Sequence, residues 1–145
     1  MLLCICILFP CFAGCDRDKQ KNVCAFLVNV ENNTLTLDLA EYITSEDTQR
    51  INELGLTQQD LINGYYIYNP QKIYVTYEFA KKTKFEIIDW HRQFTKEGKN
   101  LTYKTKKIQE FYEYLSTYTG GVPGMPLFFD IKDDKITKVV EIIMM

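Results

Sequence analysis

The chain of 145 residues has one histidine, one tryptophan, four prolines and seven glycines. With a single His, and with four of its five cysteines crowded into residues 1–15, it offers no set of three or four closely spaced zinc ligands. So little Gly and Pro excludes collagen-like and low-complexity chains, and 46% hydrophobic with 25% charged residues is the balance of a chain that folds around a core. An excess of one charge is also missing. The 17 Lys+Arg and 19 Asp+Glu give a net charge of −2 and leave no global electrostatic footprint for nucleic acid. Repeats are absent, and the length suits one domain.

Charge is missing altogether from residues 1–15, MLLCICILFPCFAGC. The apolar run from Met1 to Phe12 is too short to span a bilayer as a helix, which takes about 20 residues, but it has the length of a signal-peptide core. Phe12-Ala13-Gly14-Cys15 then places small residues before a cysteine. This segment resembles the lipobox of bacterial lipoproteins. The resemblance implies cleavage after residue 14, diacylation (the palmitate-type anchor) of Cys15, and a location on the extracytoplasmic face of the bacterial cell membrane. The basic segment that precedes such runs is lacking, so the true start is expected upstream of Met1. Residues 15–23, rich in Asp, Lys, Arg and Asn, read as a polar tether and 24–145 as a single domain. The mature chain keeps one other cysteine, Cys24, in an apolar run, and is expected to bury it as a small hydrophobe.

Cys24 to Leu39 alternates on both sides of Glu31-Asn32-Asn33 and predicts a β-hairpin, with Phe26, Val28 and Val30 on one face and Leu35, Leu37 and Leu39 on one. Thr44-Ser45-Glu46-Asp47 and Thr57-Gln58-Gln59-Asp60 each pair a hydroxyl cap with an acid three residues on, and predict two short helices. Three strands follow, at Tyr65–Tyr68, Ile73–Phe79 and Phe85–Trp90, the last two separated by a Lys-rich turn. Residues 91–103 read as loop. Ile108, Phe111, Tyr112, Leu115 and Tyr118 recur at helical spacing and predict an amphipathic helix over 105–118. A second hairpin turns at Asp133-Asp134, between Leu127–Lys132 and Lys135–Met144.

Strands joined mainly by turns, with few helices, make an α+β chain: a curved antiparallel sheet or a small OB-like barrel of about six to seven strands, with one longer and one or two short helices. Asn63-Gly64-Tyr65-Tyr66-Ile67-Tyr68-Asn69 and the final hairpin from Phe128 to Ile136 look similar to uncharacterised secreted or lipid-anchored bacterial domains, a similarity that implies no activity.

Asp89 and His91, two apart at the end of a predicted strand, could share a face and invite an acid/base reading, that of a cell-envelope hydrolase. A nucleophile in a recognisable catalytic motif is wanting. The carboxylates of Asp130 to Asp134 lack the spacing of a calcium loop, and Gly120 to Pro126 lacks the Lys-Ser/Thr ending of a phosphate-binding loop, so no metal and no cofactor are expected. Lys72, Lys81, Lys82, Lys84, Lys104, Lys106 and Lys107 read as a solvated basic face. Tyr65, Tyr66, Tyr68, Tyr74 and Tyr77, on two adjacent predicted strands, are the stronger signal. Alternation sends one set to the core and the other to solvent, where tyrosines form a platform for a peptide, a glycan or an envelope protein. The sequence therefore favours a membrane-anchored, non-catalytic binding module over a hydrolase.

Overall fold

A computed structural model describes residues 20–61 and 63–143. In chain order the elements are β1 (Lys21–Glu31), β2 (Thr34–Thr44), α1 (Thr48–Leu54), β3 (Tyr65–Tyr68), β4 (Tyr74–Ile88), β5 (Thr102–Thr105), α2 (Ile108–Leu115), β6 (Leu127–Lys132) and β7 (Lys135–Val140). Both tight turns carry two consecutive left-handed residues, Asn32 and Asn33 (φ 47° and 70°) and Asp133 and Asp134 (φ 51° and 55°). Such a pair gives a hairpin turn the twist of its strands, and Asn and Asp enter that region more easily than other non-glycine residues.

Antiparallel ladders join β1 to β2, β1 to β6, β6 to β7 and β2 to β4, and β4 runs parallel to β7. The ring β1-β2-β4-β7-β6 is thereby closed. The result is the small OB-like barrel, five-stranded and mixed, with β3 and β5 added outside it on β2 and β4. Its parallel seam needs a long crossover, supplied by β5, α2 and β6. The interior is filled by Ala25, Leu27, Leu35, Leu37, Phe79, Phe85, Ile87, Leu127, Phe129, Ile131, Ile136 and Val139. From α2, Phe111 enters this core, stacked on Phe85 (centroids 4.6 Å apart) and edge-on to Phe79 at 6.0 Å.

Several local expectations are corrected. Lys21–Val23 are not tether but the start of β1, paired with Phe129–Ile131. The core face of β1 is Ala25 and Leu27 rather than Phe26 and Val28, and an irregularity between Leu27 and Asn29 returns Val30 to the inside opposite Leu35. Ile73–Phe79 and Phe85–Trp90 are not two strands with a Lys-rich turn between them. Most of both falls in one 15-residue strand, β4 (Tyr74–Ile88), whose register against β7 shifts between Phe79 and Lys84. Buried Thr83 holds that shift, its Oγ1 within hydrogen-bond distance of the carbonyls of Ala80 (2.8 Å) and Ile136 (2.7 Å). The 91–103 loop ends in β5, and residues 57–61 form turns where a second short helix was expected.

Candidate functional site

β3 and β4 are not side by side. They follow one another along the same edge of β2, Tyr65–Tyr68 opposite Thr44–Glu41 and Tyr74–Glu78 opposite Asp38–Thr34. The break at Asn69-Pro70 is clamped by Asp38, whose carboxylate accepts the Ile73 backbone N–H at 2.8 Å and the Asn69 side-chain amide at 3.2 Å. The five tyrosines therefore divide instead of forming one row. Tyr65 stacks on Tyr42 (5.4 Å), which meets Phe128 edge-on at 5.1 Å. Tyr66 and Tyr68 point to the opposite face of β3, where the Arg50 guanidinium lies 5.3 Å from the centre of the Tyr68 ring. Tyr77 packs against the core, and Tyr74 is 54% exposed on the outside of β4.

Two clefts open around this region. β1 and β2 stay paired as far as Cys24 and Ala40 and part beyond them. The parting forms a cleft of about 380 Å³ lined by Asn22, Val23, Cys24, Leu39, Ala40, Glu41, Tyr42 and Phe128. On the other side of the Leu39–Glu41 wall, the break between β3 and β4 leaves a cleft of about 260 Å³ lined by Tyr68, Pro70, Gln71 and Ile73. Tyr42 and Phe128 were not singled out in the sequence. Phe128 sits in a strand that the pattern identifies, but Tyr42 lies in the part of β2 beyond Leu39, where the predicted hairpin ends, and only barrel closure brings β6 beside β1 and so Phe128 beside Tyr42. Cys24 is free and buried, and burial pushes its thiol up to about 12.

Comparison with protein-family models, with curated proteins and with solved structures returns no match to this chain. Its chemistry must be judged from its own residues. Asp89 and His91 share no hydrogen bond. Asp89 is buried, and burial alone would raise its carboxyl, but N–H groups of Phe94, Thr95 and Gln93 and the Thr95 hydroxyl outweigh that cost and hold it below the usual carboxylate range. It closes the turn after β4, while His91 is exposed. A second carboxylate with several donors, missed in the sequence, is Glu141. It accepts from the Ile88 N–H (2.6 Å), Tyr114 (2.8 Å), Tyr118 (3.2 Å) and the Trp90 indole (3.3 Å), and so ties the chain after β7 to β4 and α2. Burial first, then Glu141 itself, raises the Tyr114 phenol, and burial pushes that of Tyr118 up to about 12.

Among the described residues no group of three or more His, Cys, Asp or Glu is placed to hold a metal ion. The basic face is partly neutralised, with Lys104 and Lys138 on Glu86 (3.2 and 3.1 Å) and Lys107 on Glu110 (2.8 Å). No helix of the described residues is long and apolar enough to cross a membrane. Cys15, the expected lipidation site, lies outside the described residues.

Proposed function

We propose that the protein is a bacterial lipoprotein, anchored through Cys15 on the extracytoplasmic face of the cell membrane, whose barrel binds an envelope peptide, glycan or protein without converting it. The observation that carries the reading is the pair of clefts sharing the Leu39–Glu41 wall, with Tyr42, Phe128 and Tyr68 along their sides. Concave sites lined by aromatic side chains with a few polar groups are the usual form of a binding site, and tyrosine gives large contact area at low entropic cost. The anchor would also fix where the cleft works. The first cleft includes Asn22 and Val23, at the very start of β1, and the six residue steps from Cys15 to Lys21 reach at most roughly 20 Å, so the cleft works close to the headgroups. Two acyl chains on Cys15 meet the two-signal requirement for stable attachment. Asp89, engaged by its own loop, favours no hydrolytic reading.

The test places a photo-crosslinking residue at Tyr42 or Tyr68 in the protein expressed from its own locus, with exposed Lys99 as the control position. The expected result is an adduct from the cleft positions that depends on Cys15, alongside a diacylglycerol-sized mass on a chain beginning at Cys15 that Cys15→Ala abolishes. Adducts equal at Lys99, or an unprocessed chain with no lipid, would overturn the binding reading and the anchor respectively.

A further inference from the structure

The excursion from Ser45 to Gly64 lies outside the barrel. α1 spans seven residues and buries none of them. So short a helix does not persist in water unaided. Here it is held by polar contacts: Arg50 Nε donates to both Glu41 oxygens at 2.8 and 3.0 Å, and its Nη1 donates to Glu53 at 3.0 Å. Gly55, at φ 65°, turns the chain so that the Leu56 N–H reaches the Ile51 carbonyl at 3.0 Å. Asp47 and Asp60 each accept the backbone N–H and hydroxyl of the threonine three residues before, Thr44 and Thr57, at 2.7 to 2.9 Å.

These contacts pre-form an open cleft of about 420 Å³ lined by Ser45, Ile51, Leu56, Thr57, Gln58 and Leu61. Its three aliphatic side chains are only half-buried, and nothing described covers them. Its surroundings are acidic. Between residues 41 and 64 stand Glu41, Glu46, Asp47, Glu53 and Asp60, against Arg50 alone of the 17 Lys+Arg in the chain. Arg50 is already spent on Glu41 and Glu53. Glu46 and Asp47 follow lining residue Ser45 directly, and Asp60 precedes lining residue Leu61, so negative charge sits at both margins of an apolar floor.

We infer that this cleft docks a segment of a partner protein in which one large aliphatic or aromatic side chain is flanked by lysine or arginine. The apolar side chain gains by leaving water against Ile51, Leu56 and Leu61, at about 25 cal/mol per Å². The flanking cations meet the acidic margins, where exposed charges decide partner choice and association rate more than affinity. The same charge disfavours an anionic lipid surface. Because the lobe is fixed before anything binds, little ordering cost falls on the complex.

The test pans a displayed library of short random peptides on the full chain in detergent micelles. The expected selection carries Lys or Arg on both sides of Leu, Ile, Phe or Trp. Its synthetic peptides bind the native chain, associate more slowly on adding salt, lose about tenfold or more in affinity against Ile51→Asp, and associate several-fold more slowly with Glu46→Lys. Glu46 is exposed, so its reversal reads the charge contribution even if Ile51→Asp fails to fold. No enrichment, peptides that are uncharged or acidic, or an equal association rate with Glu46→Lys overturns the proposal. Dimerisation of the chain that Glu46→Lys abolishes also overturns it, since a second copy would then be the occupant.

Discussion

At the scale of single residues, chemistry that reads as reactive is structural. Asp89 is a carboxylate beside the only histidine, yet its oxygens accept three backbone N–H groups at 2.7 to 2.9 Å. Asp89→Ala leaves these donors short of an acceptor in a buried position and is expected to cost about 3 kcal/mol, read as a lower urea midpoint at unchanged slope. Because the folded carboxyl lies below its ordinary value, this contribution is fully present above the usual carboxylate range and fades as pH falls through the folded value; the mutant's deficit therefore shrinks in acid. Cys24 behaves in the opposite sense. Its thiol is raised to about 12, so the neutral form is kept in the fold, and its stabilising effect is lost only as pH rises from 9 towards 12. Iodoacetamide at pH 8 is expected to label Cys24 in urea and to spare it in the native protein; rapid native labelling would show an accessible thiolate.

Among the elements, those with strong periodicity are the ones the sequence identifies. The α2 pattern is amphipathic, and Phe111 and Leu115 are indeed buried, though the helix is trimmed to Ile108–Leu115 and its buried Tyr114 lies between the positions that the pattern picks out. Phe111 touches Phe85, Phe79 and Tyr114, so Phe111→Ala is expected to cost roughly 3–5 kcal/mol by calorimetry or urea titration, the range for a large aromatic removed from a core. A loss under 1 kcal/mol would mean that α2 does not plug the barrel. β4 shows where local pattern misleads. Lys81-Lys82 looks like a turn because two consecutive charges break alternation, but a register shift lets both point outward while Thr83 bonds inward. The Thr-x-x-Asp signature misleads in a related way. At Thr44 and Thr57 the acid accepts the threonine N–H as a capping box requires, but the hydroxyl donates to the same carboxylate instead of accepting a backbone N–H; α1 starts after Asp47 rather than after Thr44, and at Thr57 the bonds close a turn that no helix follows.

For the whole molecule, closure decides what the tyrosines do. Had Tyr65–Tyr68 and Tyr74–Tyr77 paired as neighbours, one row of rings would have faced solvent. Laid end to end on β2, they reach four environments, and the aromatic cleft is completed by Phe128 from a strand 60 residues further on. Composition, the two hairpins, the amphipathic helix, the buried Cys24 and the α+β class were all determined by the sequence itself, because period, turn chemistry and burial of apolar side chains are local or additive properties, whereas the choice of a closed barrel over an open curved sheet was not. The parallel β4–β7 seam, the splayed β1–β2 cleft, the acceptor role of Glu141 and the open apolar cleft beside α1 were decided by tertiary structure alone. Each depends on which strand lies beside which, and that is set by twist, closure and long-range packing that no window of neighbouring residues contains.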